Sequence, residues 1–276
     1  MKPIHNVSKS SLSLAIGLTL TAVVLMAAWA QANTDAAVAP EVASALTARP
    51  VVKTSTFAVA AANPLATKAG YNMIKKGGSA VDAAVVIQAV LTLVEPQSSG
   101  IGGGAFLMVS EEGKVTAYDG REKAPSATTG ELFIVDGKPL AFLDAAASGL
   151  SVGVPGTMRM LELAHQQHGK LPWSELFEQA IILAEEGFEI SPRLSALLDS
   201  DPRLRQDPLA GPFYYDSEGK PHPVGHKLQN PALAAVLRAI AENGASAIHE
   251  GAIAEDVVRR VQNHPKYAGS LNLKDM

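Results

Sequence analysis

An apolar helix candidate runs into a turn rich in glycine and then into an apolar strand candidate. The helix candidate, Ala80–Val94, is apolar almost all round, which predicts a buried helix because ~15 residues are short for a membrane span. Pro96 ends it, since proline has no backbone N–H and disfavours helical geometry in the preceding residue. The turn Gly100-Ile101-Gly102-Gly103-Gly104 permits a tight backbone before the strand candidate at Phe106.

Turn signals divide the next segment into two predicted hairpins. Residues 106–110 and 115–118 flank Glu111-Glu112-Gly113-Lys114, and residues 132–135 and 140–143 flank Asp136-Gly137-Lys138-Pro139. The rest of the chain is dominated by helical patterns. Helices, then strands, then many helices do not form a regular β-α-β alternation, so we predict an α+β layered fold and not a doubly wound one.

Several helix starts carry their own capping signals. Asn63-Pro64, Ser191-Pro192 and Asn230-Pro231 each join a capping side chain to a proline suited to the first helical position. Ser79 and Asp82 have the spacing of a capping box. These signals predict helices that begin at the residue after each cap.

The N-terminus has the pattern of an export signal. Lys2 and Lys9 precede an uncharged run rich in leucine, alanine and valine, and Ala30-Gln31-Ala32 fits a small-x-small cleavage site. We predict a signal peptide over residues 1–32, a linker over 33–56 and a folded region over 57–276. The expected location is the periplasm, with no stable membrane span after cleavage; an uncleaved anchor is the alternative.

Composition excludes several classes of function. The chain has no cysteine, which removes disulfides, zinc thiolates and a cysteine nucleophile. The net charge of −4 gives no footprint for nucleic acid. His165 with His168, and His222 with His226, have no third ligand at a recognised spacing, so solvated or capping roles are favoured. We expect no metal and no cofactor.

Two motif matches lack the structural context that their chemistry needs. Gly100-Ile101-Gly102-Gly103-Gly104-Ala105 fits G-x-G-x-x-G/A, but a helix precedes it and a strand follows, which reverses the order for dinucleotide binding. Gly149-Leu150-Ser151-Val152-Gly153 fits the nucleophile elbow G-x-S-x-G, but the residues before it make a poor strand. A serine hydrolase that uses Ser151 is retained as an alternative.

Arg121 is the candidate binding residue. It follows a predicted strand within Asp119-Gly120-Arg121-Glu122. A guanidinium at such a place can hold a carboxylate through two parallel hydrogen bonds. A surface pair with Asp119 or Glu122 is an equally good interpretation from these residues alone.

A series of short motifs then suggests a family. In chain order they occupy residues 61–66, 77–84, 94–96, 98–104, 119–122 with 124–125, 152–156, 169–173, 183–188 and 230–234. Together they resemble the γ-glutamyltranspeptidases, and the resemblance runs from Ala58 to the C-terminus. The Glu95-Pro96 to Gly104 block is the most specific part.

The resemblance implies an N-terminal-nucleophile hydrolase with a four-layer αββα sandwich. A precursor of this kind cleaves itself, and the new N-terminal Thr of the small subunit attacks a γ-glutamyl amide such as that of glutathione. A free α-amine can serve as the base for its own side-chain hydroxyl. The family's carboxylate-binding arginine maps onto Arg121.

Some residues depart from the family pattern. Ala105 stands where a fourth glycine is usual, and Ile248-His249-Glu250-Gly251 replaces an aromatic pair before glycine. The family nucleophile would lie beyond position 276, and Thr128-Thr129 lies too early to supply it. We therefore expect this chain to be a large-subunit region that ends before the nucleophile. We expect it to contain no catalytic residue, to be inactive alone and to pair with a small subunit. A non-catalytic remnant or assembly subunit is the alternative.

Overall fold

A computed structural model describes residues 51–201 and 203–276. The predicted signal peptide and most of the predicted linker lie outside these residues. The helices are α1 Pro64–Lys75, α2 Ala80–Val94, α3 Phe142–Ala146, α4 Thr157–His168, α5 Glu178–Glu186, α6 Pro192–Ser200, α7 Ala210–Tyr214, α8 Pro231–Asn243, α9 Ser246–His249 and α10 Gly251–Gln262. The strands are β1 Ala105–Glu111, β2 Lys114–Gly120, β3 Ile134–Val135, β4 Lys138–Pro139, β5 Phe188–Glu189 and β6 Lys227–Leu228.

Helix α1 begins where the sequence predicts, and a glycine ends it. The side chain of Asn63 accepts a hydrogen bond from the Leu65 N–H, and Pro64 is the first helical residue. At the other end Gly77 has φ +102°, and the Gly78 N–H donates to the Met73 carbonyl over 3.0 Å. This αL glycine closes a Schellman motif. The spacing of Leu65, Ala69 and Met73 predicts one apolar face; Ala69 and Met73 are buried as expected, whereas Leu65 is 36% exposed and Ala66 is buried in its place.

Helix α2 is the buried centre of the fold. Its capping box forms as predicted, since the Ser79 side chain accepts from the Asp82 N–H and the Asp82 carboxylate accepts from the Ser79 N–H. The same carboxylate, fully buried, also accepts from the backbone N–H groups of Lys170 and Leu171. One side chain therefore starts α2 and ties it to the segment after α4. Helix α2 packs against α1, α4 and α5.

Strands β1 and β2 form the first predicted hairpin. They pair antiparallel with Glu111 opposite Lys114, and the two turn residues Glu112 and Gly113 have φ +50° and +80°. Two positive φ angles define the type I′ turn, which matches the twist of the strands. One face of the hairpin packs on α4, and the other exposes Phe106, Met108 and Val115.

The second hairpin is shorter than predicted. Strand β3 pairs with β4 across a turn in which Asp136 and Gly137 have positive φ angles. The predicted strand over residues 140–143 was wrong, because α3 begins at Phe142. Alternation of apolar residues over so few positions does not distinguish a strand from a short helix.

The mixture of helices and small sheets confirms the α+β prediction. In residues 51–201 and 203–276 the strands form three two-stranded sheets, β1–β2, β3–β4 and β5–β6, and the four-layer sandwich stays a prediction. The C-terminal helices complete the core, in which Phe177 is fully buried and Trp173 Nε1 donates to the Ile240 carbonyl. Among the described helices, none has both the length and the apolar character of a membrane span.

Candidate functional site

The glycine turn before β1 is attached to the start of α4. The carbonyl of Gly103 accepts hydrogen bonds from the backbone N–H groups of Gly156 and Thr157, over 3.0 and 3.1 Å. These are orphan donors of the first helical turn. The same glycine turn also lies beside the end of β2, because Ala105, which follows it, pairs with Gly120. A helix precedes the turn and a strand follows it, which is the wrong order for a dinucleotide-binding loop.

Glu122 lies directly against this turn. A Cβ atom added to Gly104 would stand 2.7 Å from both the side-chain Cδ and the backbone nitrogen of Glu122. A Cβ on Gly153 would stand 2.9 Å from the Cβ of Glu122. Such separations are too short for real carbon atoms, so glycine is required at both positions for the chain to approach Glu122 this closely.

Arg121 lies at the exit of β2 with an accessible side chain. Its Nη1 stands 3.4 Å from Glu122 Oε2, and 59% of its side chain is exposed. Its backbone N–H donates to Asp119 Oδ1 over 3.0 Å. The structure thus contains the surface pair with Glu122 that the sequence allowed. An exposed ion pair of this kind contributes little free energy, so the guanidinium can exchange Glu122 for a carboxylate of a ligand.

Arg121 and Glu122 border an open cavity of about 480 Å³. The other lining residues come from three segments, and they are Gly102, Lys123, Ala124, Pro125, Thr128, Leu132, Phe133, Leu150, Ser151, Val152 and Gly153. The cavity therefore combines two cations, the Glu122 carboxylate, two residues with hydroxyl groups and an apolar wall. Sequence reasoning found Arg121 and Ser151 but missed Lys123, Thr128 and Phe133. Only for Lys123 was there a signal, since it lies two residues after Arg121.

The cavity is held together by residues that are distant in the sequence. Lys123 and Val154 exchange two backbone hydrogen bonds, with N–O distances of 3.3 and 2.8 Å. The Asp275 carboxylate accepts from the Ser126 N–H over 3.0 Å, and hydrogen bonds from Ser126 lower the pKa of Asp275. The C-terminal residues therefore hold the loop that forms one side of the cavity.

Ser151 lacks the surroundings of a catalytic nucleophile. It ends a 3-10 helix, Gly149–Ser151, and α3 precedes that helix where a nucleophile elbow needs a strand. Its hydroxyl lies 3.0 Å from two possible acceptors, the Ala146 and Ser148 carbonyls. In the described part of the chain, no histidine forms a hydrogen bond with it.

The two histidine pairs have structural contacts. His165 Nε2 lies 2.9 Å from the Leu171 carbonyl, and His168 Nε2 lies 2.8 Å from the Tyr118 hydroxyl. His222 and His226 stack with ring centroids 4.0 Å apart, and burial, followed by the charge of His226, lowers the pKa of His222. Within residues 51–201 and 203–276, no group of three or more acidic or histidine side chains could hold a metal ion.

The comparison with known proteins decides the family. The family model described as Gamma-glutamyltranspeptidase matches residues 66–276. The chain belongs to the γ-glutamyltranspeptidase family. The resemblance inferred from the ordered motifs is thereby confirmed.

Relatives and solved structures agree with this assignment. The glutathione hydrolase proenzyme of Bacillus subtilis (strain 168) is 37% identical over 222 residues, which are 79% of this chain and 37% of that protein. The capsule biosynthesis protein CapD proenzyme of Bacillus anthracis is 36% identical and matches 73% of this chain and 35% of its own length. The crystal structure of the Helicobacter pylori γ-glutamyltranspeptidase superimposes with a TM-score of 0.76 at 28% identity, covering 82% of this chain and 64% of that one.

The chain corresponds to only part of the length of those relatives. It spans little more than a third of each curated relative that is compared above. Both relatives are named as proenzymes, which is consistent with a precursor that is processed into subunits. The family comparison therefore applies to the region that carries Arg121 and its cavity.

Proposed function

We propose that this protein takes part in the hydrolysis or transfer of γ-glutamyl groups, with glutathione and other γ-glutamyl amides as substrates. The main support for the proposal is that a chain of this family has a cavity bordered by Arg121. A γ-glutamyl group retains a free α-carboxylate, which a planar guanidinium can bind through two hydrogen bonds.

We further propose that the nucleophile is the N-terminal Thr of a small subunit encoded beyond residue 276. No residue of this chain is then catalytic, and the chain alone is inactive. The exposed apolar face of Phe106, Met108 and Val115 supports the existence of further protein over the hairpin, because apolar patches of this kind usually mark an interface. The same face argues against a self-sufficient remnant.

The state of the protein in its natural source can be established directly. Intact masses and N-terminal sequences are measured for the chains that copurify. A partner chain that begins with Thr supports the proposal, and an N-terminus at Asn33 supports export to the periplasm with cleavage of residues 1–32. A lone inactive chain that ends at Met276 would support the remnant instead.

The role of Arg121 can be tested in the protein isolated from that source and in variants of the same gene. Arg121→Lys should raise the KM for a γ-glutamyl anilide about tenfold and change kcat little, because an ammonium cannot copy the planar fork and a charged hydrogen bond contributes about 1.5 kcal/mol. Arg238→Lys is the matched control, since Arg238 holds Glu185 with two bonds of 2.6 and 2.8 Å away from the cavity. Equal KM values for Arg121→Lys and the control would refute the carboxylate role.

A further inference from the structure

We infer that Lys123 selects ligands that carry a second carboxylate, in addition to the one assigned to Arg121. This inference rests on the proposed function of the same cavity and deepens it. The γ-glutamyl group itself has a single free carboxylate, so the second must belong to the residue joined through the γ-amide. The favoured substrate class is then a γ-glutamyl peptide with a free terminal carboxylate, in preference to a γ-glutamyl amide with a neutral leaving group.

Lys123 and Arg121 border the same cavity. The two hydrogen bonds between Lys123 and Val154 hold their segment in a β-bridge. Residues two apart in a chain have Cα atoms at most about 6.6 Å apart. Glu122 between them also borders the cavity, and its carboxylate lies 3.4 Å from Arg121 Nη1, so it is engaged with Arg121. Lys123 is therefore a second cation close enough to Arg121 for one γ-glutamyl dipeptide to reach both.

The charge of Lys123 is uncompensated. Among the described residues no carboxylate lies within 4.0 Å of its ammonium group, whereas Arg121 has Glu122 at 3.4 Å. Lys123 is also exposed and borders the cavity. A cation without a partner at the edge of a cavity attracts an anionic group of the ligand.

The test compares γ-glutamylglycine with γ-glutamylglycine amide, which differ by a single charge. Hydrolysis of both is measured for the natural-source protein and for Lys123→Gln, Lys123→Arg and the control Lys114→Gln, an exposed lysine at the start of β2. The ratio of the KM for the amide to the KM for the acid should fall about fivefold in Lys123→Gln. That change corresponds to about 1 kcal/mol, which is the upper range for an exposed ion pair. Lys123→Arg should keep the wild-type ratio, and so should the control.

The outcomes separate this inference from the proposed function. If the KM values for both compounds rise equally in Lys123→Gln, or neither changes, the inference is overturned. If the wild-type protein hydrolyses neither compound, the proposed function fails, and both compounds are then titrated calorimetrically. Tighter binding of the acid that is lost in Lys123→Gln would still support the inference, while equal binding of acid and amide would overturn it.

Discussion

Gly104→Ala should be far more damaging than its size suggests. The added methyl group would lie 2.7 Å from both the Cδ and the backbone nitrogen of Glu122. The side chain can rotate away, but the backbone nitrogen can move only if β2 and the segment after it move too. Overpacking of this kind costs about 1–3 kcal/mol. We therefore expect a loss of about 2 kcal/mol in the free energy of unfolding.

Gly100→Ala is the matched control within the same turn. A Cβ at Gly100 would have no heavy atom within 4 Å, so its effect should lie within about 0.5 kcal/mol of zero. Urea denaturation of the same chain, followed by circular dichroism, measures both variants. For a domain of this size a loss of 2 kcal/mol should lower the Tm by about 4–8 °C. The double variant Gly104→Ala, Glu122→Ala should recover part of the loss, because only the backbone contact remains.

A specific result would refute this reasoning. If Gly104→Ala and Gly100→Ala unfold with the same free energy, the close approach of Glu122 to the turn does not constrain the fold. If the double variant loses the sum of the two single losses, Glu122 and Gly104 do not interact, and the turn is held by the bonds from Gly103 to α4 alone.

Two further predictions concern buried polar groups. Asp82→Ala should lower the free energy of unfolding by about 3 kcal/mol or more, because the N–H groups of Ser79, Lys170 and Leu171 lose their acceptor. Urea denaturation measures this loss. The control Asp199→Ala, at an exposed position, should change the free energy of unfolding by less than about 0.5 kcal/mol. The free energy of unfolding should also fall as the pH drops from about 7 to about 5. Burial, followed by the charge of Arg159, lowers the pKa of His249, despite the opposing effects of Met276 and Glu250. On acidification the unfolded chain therefore takes up a proton before the folded protein does, which favours unfolding. The pH dependence of Tm in this range should be weaker in His249→Phe, and an unchanged pH dependence would contradict the assignment to His249.

The structure explains why protonation of His249 is unfavourable. Its Nδ1 donates to the Met276 carbonyl over 3.0 Å, so the neutral ring carries its proton there. Its Nε2 is buried and has no hydrogen-bond partner in the described part of the chain. A second proton would therefore enter a buried place without an acceptor.

Local signals in the sequence determined much of this fold. The caps at Asn63, Ser79, Ser191 and Asn230 each accept a hydrogen bond from a backbone N–H two or three residues away, and the hairpin turns use glycines with positive φ. Such interactions close within one turn of chain, so residue type and spacing are sufficient to predict them. The motifs in their order also sufficed for the family.

Only the tertiary structure decided which distant residues form the cavity. Gly103 and Gly104 meet Glu122 and Gly156 through close backbone approach, and Thr128 and Lys123 join Arg121 there. Arg121 itself was ambiguous, because a surface pair and a carboxylate clamp require the same residue types in the same order. The physical reason is that the arrangement of α2, β2 and α4 decides which of these distant segments come into contact. No local propensity encodes that arrangement.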